Sequence, residues 1–216
     1  MTDITRKIQI AFVGDPGVGK TSIIQRIEQG IFQDDLSQSY GCSFTHINLK
    51  FKHDNSTETI EINNCDIAGN EKDRIDNYLD RDLKDVSAIA IVFDQSKALF
   101  FNDDLEDWFS FIKVKAPKAI IALVKNKSDL DDDTKFKEDS IKKLLNKYDA
   151  MYFITSAQKN EGIIELYEGL INKITGLNGK LELIKENENE KTESINIENE
   201  SKGKIIIKRK KRWCCC

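Results

Sequence analysis

A glycine-rich octapeptide near the N-terminus constrains the fold of this chain more than any other feature. Residues Gly14–Thr21 read G-D-P-G-V-G-K-T and match the pattern G-x-x-x-x-G-K-[ST] at every position. The run Lys7–Val13 before it is apolar enough for a buried strand, and isoleucines follow it at helical spacing, at Ile23, Ile24, Ile27 and Ile31. A strand, a glycine loop and a helix in this order predict a phosphate-binding site, because backbone N–H groups at a helix N-terminus attract anions. A plain glycine turn between a strand and a helix is the alternative.

The residue types in this loop suit a nucleoside triphosphate. Gly14, Gly17 and Gly19 permit backbone torsions and close approaches that a Cβ would block. We expect the Lys20 ammonium to reach the β- and γ-phosphates and the Thr21 hydroxyl to bind Mg²⁺. Pro16 removes one N–H donor, which trims the phosphate cradle. The predicted nucleotide-contacting residues of this loop are Asp15, Pro16, Gly17, Val18, Gly19, Lys20, Thr21 and Ser22.

Composition bounds the remaining possibilities. The 216 residues suffice for one domain plus an appendage, and 39% hydrophobic residues support a core. The N-terminus lacks a signal-peptide pattern, and no run approaches the ~18–20 apolar residues of a membrane-spanning helix. Of five cysteines, three end the chain, whereas Cys42 and Cys65 lie apart, which predicts neither a disulfide framework nor a zinc site. We therefore expect an intracellular, soluble protein.

Charge is distributed unevenly along the chain. The net charge is −4, yet from Ser201 onward there are seven basic residues and no acidic one. An acidic body with a basic end disfavours a general nucleic-acid binder and favours docking of that end on an anionic membrane. The segment Leu177–Glu200 is rich in Glu, Asn, Lys and Ser, which predicts disorder. We therefore expect a domain at residues 1–176 and a disordered tail at 177–216.

Apolar runs and helical patterns alternate along the domain. The predicted strands are Lys7–Val13, Ser43–Phe51, Thr59–Cys65, Ala88–Asp94, Ala119–Lys125 and Met151–Thr155. The predicted helices follow Thr21 and cover Asp103–Lys115, Glu138–Tyr148 and Gly162–Ile174, with Glu71–Asp85 helical in part. This order predicts an α/β fold with a mostly parallel six-stranded sheet, one antiparallel strand and helices on both faces.

Four further motifs follow the glycine loop in order. They are Ser39-Tyr40-Gly41, Asp66-Ile67-Ala68-Gly69-Asn70, Asn126-Lys127-Ser128-Asp129 and Ser156-Ala157-Gln158. With the glycine loop they make the chain resemble the Ras superfamily of small GTPases, and within it the Rab family, over about Ile8–Gly176. The resemblance implies a P-loop NTPase fold that binds GTP or GDP with Mg²⁺. It also implies a monomer whose partners are effector, exchange-factor and GTPase-activating proteins.

The resemblance assigns roles within these motifs. Thr21, Ser39 and Asp66 would hold Mg²⁺, the last of them through water, and the Gly69 N–H would contact the γ-phosphate. Asp129 would accept hydrogen bonds from the N1–H and the exocyclic amine of guanine, a donor pair that adenine lacks, which selects GTP over ATP. The other nucleotide-contacting residues implied are Phe32, Asn126, Lys127, Ser156, Ala157 and Gln158.

Several positions depart from the family pattern. Asn70, which with Lys20 forms the predicted catalytic pair, replaces the Gln that orients the attacking water, so we expect slow hydrolysis. Ser39 replaces a Thr, and we expect weaker ordering of its segment. Cys65 stands where Rab proteins usually carry Trp, which puts partner recognition in doubt. Phe32 stands where the family has an aromatic ring edge-on to guanine, and an ordinary hydrophobic anchor is the alternative.

The end of the chain is the second functional stretch. The basic run Lys208–Arg212 is followed by Trp213 and three cysteines, and a C-a-a-X box would need a cysteine at position 213. The paired cysteines resemble the doubly geranylgeranylated Rab tail, so lipids are expected on Cys215 and Cys216, where two chains anchor stably. An unmodified end or a metal-binding tract is the alternative. The expected location is the cytosolic face of a membrane, with a soluble cytosolic pool.

Three functions remain open from the sequence. The first is a Rab-like GTPase switch in vesicle trafficking that hydrolyses GTP slowly. The second is a GTP-binding scaffold on membranes with little or no hydrolysis, suggested by Pro16 and Asn70. The third is a P-loop ATPase or small-molecule kinase, which the motif Asn126–Asp129 disfavours.

Overall fold

A computed structural model describes residues 5–34, 41–54, 56–68, 85–94, 96, 102–130 and 138–183. Its strands are β1 (Thr5–Val13), β2 (Cys42–His53), β3 (Ser56–Ile67), β4 (Ala88–Asp94), β5 (Ile120–Asn126), β6 (Met151–Ile154) and β7 (Gly179–Leu183). Its helices are α1 (Lys20–Gln29), α2 (Asn102–Lys115), α3 (Glu138–Tyr148) and α4 (Ile163–Thr175). The predicted helical segment Glu71–Asp85 lies outside the described residues except for Asp85.

The strands form one sheet in the order β6-β5-β4-β1-β3-β2-β7. Strand β1 runs parallel to β3 and β4, and β5 runs parallel to β4 and β6. Strand β2 is antiparallel to both of its neighbours, β3 and β7. The prediction of an α/β fold with one antiparallel strand is therefore confirmed, but the sheet has seven strands rather than six.

The additional strand corrects the predicted disorder after Leu177. Strand β7 pairs with Leu49–His53 at the edge of β2. Two side chains of α4 hold it in place: Asn172 bonds both the N–H and the carbonyl of Gly179, and Glu168 accepts the Leu181 N–H at 2.8 Å. These partners are distant in sequence, and five residues carry too little pattern to predict a strand. The compact unit that contains β7 extends to Ile184.

Alternating side chains of the central strands face two separate cores. In β1, Ile10 and Phe12 pack with α1 and α4, whereas Ala11 and Val13 pack with α2 and α3. Helices therefore cover both faces, as a buried, mostly parallel sheet requires. The buried face of α2 consists of Leu105, Trp108, Phe109 and Ile112.

The isoleucine pattern of the first helix holds for three of its four members. Ile23, Ile24 and Ile27 are buried on α1. Ile31 lies beyond the helix and is 42% exposed. The helix ends before Gly30, whose φ of 67° is a left-handed conformation that glycine adopts without strain. The assignment of Ile31 to the helical face was therefore wrong.

A disulfide joins Cys42 at the start of β2 to Cys65 in β3. The sequence predicted no disulfide framework, because these residues lie 23 positions apart. Antiparallel pairing of β2 with β3 brings their Cα atoms to 6.5 Å, within the usual range for a bridge. Cys65 immediately precedes Asp66, so the link lies beside a predicted site residue.

Candidate functional site

A cleft of about 330 Å³ opens among the loops that follow β1, β3, β5 and β6. Such loops lie at the carboxyl ends of parallel strands, where α/β sheets bind ligands. Predicted site residues from the glycine loop, the Asn126–Asp129 motif and the Ser156–Gln158 motif line it together with Phe32. They are Pro16, Gly17, Gly19, Lys20, Thr21, Ser22, Phe32, Asn126, Lys127, Asp129, Ala157 and Gln158. The fold thus brings together segments that are more than a hundred residues apart in sequence.

Other predicted residues lie behind the cleft or outside the described chain. Asp15, Val18, Asp66 and Ser156 do not line it, although all four hydrogen-bond residues that do. The predicted residues that lie outside the described residues are Ser39, Gly69, Asn70, Cys215 and Cys216.

Four lining residues were not predicted. Gln33 and Asp34 follow Phe32, Ala68 precedes Gly69, and Leu130 follows Asp129. Each lies within two positions of a predicted residue, so extending the predicted segments by one or two positions would have found them.

The glycine loop passes close to its neighbours at two points. A Cβ on Gly14 would lie 2.1 Å from the Val92 carbonyl oxygen of β4, and one on Gly19 would lie 2.3 Å from Nδ2 of Asn126. Both glycines also have φ above 90°, which other residues rarely adopt. The loop therefore needs glycine at these positions, as the sequence predicted.

Lys20 begins α1 and places a buried positive charge inside the glycine loop. Its Nζ donates to the carbonyls of Gly14 and Asp15, each at 2.9 Å. Burial lowers the pKa of Lys20, and the nearby Asp66 and Asp15 carboxylates only partly offset this. An ammonium held in this way lies in reach of an anion cradled by the loop.

Thr21 and Asp66 form the candidate metal site. The Thr21 hydroxyl donates to Asp66 Oδ2 at 2.5 Å, which brings two hard oxygen ligands together. Mg²⁺ prefers such oxygens and commonly completes its shell with phosphate oxygens and water. The residues present therefore fit Mg²⁺. The described residues contain no cluster of three or more His, Cys, Asp or Glu side chains that could hold a metal ion.

We call Gly14–Ser22 with Asp66 the glycine-loop side of the cleft, and Asn126–Leu130 with Ser156–Gln158 the β5–β6 side. Asn126 is 1% exposed and joins the two sides. Its Nδ2 donates to the Val18 carbonyl at 2.8 Å, and its Oδ1 accepts bonds from the Thr155 hydroxyl and the Ala157 N–H.

Two more contacts hold the β5–β6 side. The Ser156 hydroxyl donates to Asp129 Oδ1 at 2.5 Å, and the Lys127 ammonium lies 2.7 Å from Asp94 Oδ2. Burial alone would raise the pKa of Asp94, but the bonds from Lys127 and Ser96 outweigh it, so the net shift is downward. The cleft thus presents an acidic and a basic side chain whose positions are set by neighbours.

Arg26 is a supporting residue that the sequence did not reveal. Its guanidinium donates to the carbonyls of Ala157 and Gln158, each at 2.8 Å, and lies 5.8 Å from the centre of the Phe32 ring. Phe32 also packs against the core, as its alternative interpretation expected. The only sequence signal is an arginine in the last turn of α1, a common position for bonds to nearby carbonyls.

Fold and cleft together define a protein of the P-loop nucleotide-binding class. The sequence profile of the Ras family matches residues 9–176, more than half of the chain, and the chain belongs to the Ras family of small GTPases. Membership implies a guanine nucleotide with Mg²⁺, GTP hydrolysis and regulatory partners in general. Among the described helices, none is long and apolar enough to cross a bilayer.

Curated relatives carry Rab names and are distant. The chain is 28% identical to Rab-5B of Plasmodium falciparum over 169 residues, which cover 78% of each chain. It is 28% identical to Rab-27A of Rattus norvegicus over 77% of this chain and 78% of the relative. It is 29% identical to Rab-31 of Rattus norvegicus over 80% and 85% respectively.

Proposed function

We propose that this protein is a Rab-like switch that binds GTP through the described cleft, hydrolyses it slowly and acts in vesicle trafficking. One observation carries the proposal. The guanine-motif residues Asn126, Lys127 and Asp129 share a cleft with Lys20 and Thr21 of the glycine loop. A base and a triphosphate need these two groups of side chains in one place.

Selection of guanine depends on the Asp129 carboxylate. One of its oxygens accepts the Ser156 hydroxyl, which restricts the orientation of the carboxylate. A carboxylate in that orientation accepts the paired N–H donors of guanine, and adenine would leave it without them at a high cost. The same geometry disfavours an ATPase or a small-molecule kinase.

At the glycine loop, the backbone N–H groups and Lys20 would hold the β- and γ-phosphates. Thr21 and Asp66 would hold Mg²⁺, with Ser39 as a further proposed ligand. The metal supplies charge neutralisation on the phosphate oxygens when it is bound. Positioning dominates this kind of catalysis, so the shorter Asn70 should orient the attacking water poorly.

Single-turnover GTP hydrolysis tests the enzymatic part of the proposal. We expect slow but measurable turnover by the full chain with Mg²⁺, and a faster rate for Asn70→Gln. The exposed Asn146 on α3 offers a matched control, and Asn146→Gln should leave the rate unchanged. A rate that Asn70→Gln does not raise would contradict the role of Asn70.

A membrane-bound GTP scaffold is the second candidate. Pro16, which removes one N–H donor from the phosphate cradle, and Asn70, which is shorter than the Gln of the family, both depart from the family pattern and favour it. Tight GTP binding without turnover, unchanged by any activating protein, would support the scaffold over the switch.

Attachment to membranes is proposed from the tail. Its basic run would add about 1 kcal/mol per charge to the binding of lipids on Cys215 and Cys216. Mass measurement of the protein isolated from its own cells should show two prenyl groups, and an unmodified end would contradict the proposed anchor.

A further inference from the structure

The β5–β6 side depends on a carboxylate from another strand. Asp94 is the last residue of β4 and lies opposite Asn126 of β5 in the parallel register. It is 2% exposed, and its two oxygens contact different residues, one through an ion pair and the other through hydrogen bonds. Oδ2 lies 2.7 Å from the Lys127 Nζ, whereas Oδ1 accepts the Ser96 N–H at 2.9 Å and the Ser96 hydroxyl at 2.7 Å.

Lys127 needs such a partner for two reasons. Its φ of 63° is uncommon for a residue with a Cβ, so its backbone conformation is maintained by surrounding contacts. Its side chain is 31% exposed and lines the cleft, where a lysine with four rotatable methylene bonds would otherwise sample many rotamers. The Asp94 carboxylate fixes the far end of that side chain.

We propose that Asp94 is a positioning residue, which anchors the Lys127 ammonium so that its methylene stem lies preset along the purine base. The inference rests on the proposed guanine-nucleotide function. A stem along the ring plane would not reach the exocyclic amine, so Asp94 would contribute equally to the affinity for GDP and for its analogue without that amine. Discrimination by the exocyclic amine belongs to Asp129.

A double-mutant cycle on the full chain tests this role. The test compares dissociation constants for GDP and for inosine diphosphate, which lacks the exocyclic amine. The proteins compared are the wild type, D94N, K127M and the double variant. D94N should weaken both nucleotides equally, by about tenfold, the size of one charged hydrogen bond. In the K127M background the same D94N change should have no further effect.

Two variants separate the ion pair from the neighbouring turn. Ser96→Ala removes the hydroxyl bond to Oδ1 but keeps the backbone N–H bond and the Lys127 contact, so it should bind GDP as the wild type does. Asp139→Asn, an exposed carboxylate on α3, is the matched charge control and should also have no effect.

Three results would overturn the inference alone. The first is an equal loss of affinity on D94N in the wild-type and K127M backgrounds. The second is a loss of GDP affinity in Ser96→Ala as large as that in D94N, and the third is failure of D94N to fold. Each would give Asp94 a purely structural role. Failure of the wild type to bind GDP is a distinct result, and it would overturn the proposed function as well.

Discussion

The two sides of the cleft differ in the kind of buried side chain at their centre: a charged lysine on the glycine-loop side and a neutral, hydrogen-bonded asparagine on the β5–β6 side. On the glycine-loop side, Lys20 is a buried charge whose pKa is lowered by burial, so the folded state disfavours its charged form. On the β5–β6 side, the buried Asn126 is neutral, and its amide bonds three groups on two other segments, the glycine loop and the segment after β6. The comparison shows that Lys20 on the glycine-loop side is positioned for a ligand and adds no stability to the fold. Asn126 on the β5–β6 side both stabilises the fold and orients the site.

Replacement of Asn126 should have the largest effect. Asn126→Ala leaves the Val18 carbonyl, the Thr155 hydroxyl and the Ala157 N–H without this partner inside the protein. We expect the free energy of unfolding to fall by about 4 kcal/mol, at 1–3 kcal/mol per unsatisfied buried group. Urea unfolding measures this, with the exposed Asn146→Ala as a matched control. Equal stability of the two variants would contradict the claim that Asn126 stabilises the fold.

The disulfide beside the glycine-loop side gives the next effect. Closing a segment with 23 residues of separation should stabilise the fold by about 3 kcal/mol on the chain-entropy account. Unfolding with and without reductant tests this, because the wild type should lose stability on reduction, whereas Cys42→Ser should not respond. A wild type that is insensitive to reductant would contradict the prediction.

Lys20→Met should separate binding from stability. Loss of the ammonium should weaken GTP binding by about 100-fold, while the unfolding free energy at neutral pH changes by less than about 1 kcal/mol. The folded pKa of Lys20 lies below its unfolded value, so the unfolded state holds the proton more tightly. Wild-type stability should therefore rise relative to the variant as the pH increases above that lowered pKa. A large loss of stability at neutral pH would show that Lys20, like Asn126, stabilises the fold, and would contradict the difference between the two sides.

Arg26→Lys should have the smallest effect. A lysine cannot reproduce the guanidinium fork that bonds the Ala157 and Gln158 carbonyls. We expect GDP affinity to fall about fivefold, or roughly 1 kcal/mol, by equilibrium titration. The exposed Lys143→Arg on α3 is the control, and an unchanged affinity in Arg26→Lys would show that this loop needs no such support.

Local patterns predicted most of the fold, because strands such as Ala88–Asp94 and the glycine loop are defined by neighbouring residues. What escaped prediction depends on distant partners. Strand β7 needs Glu168 and Asn172, the disulfide needs the β2–β3 pairing, and Arg26 needs the loop after β6. Asp94 lay within a correctly predicted strand, yet its role depends on a lysine of another strand's loop. The proposed roles of Ser39, Gly69 and Asn70 stay predictions, since these residues lie outside the described chain.

Competition between GTP and ATP for the full chain with Mg²⁺ tests the central claim most directly. A fluorescent GDP analogue bound to the protein should be displaced by GTP at concentrations at least about 1,000-fold below those that ATP requires, since a site with a dedicated hydrogen-bonding carboxylate rejects a base that lacks the donors. Displacement by ATP at similar concentrations would contradict the guanine assignment of Asn126–Asp129. Failure of either nucleotide to displace the probe would contradict a nucleotide site in this cleft.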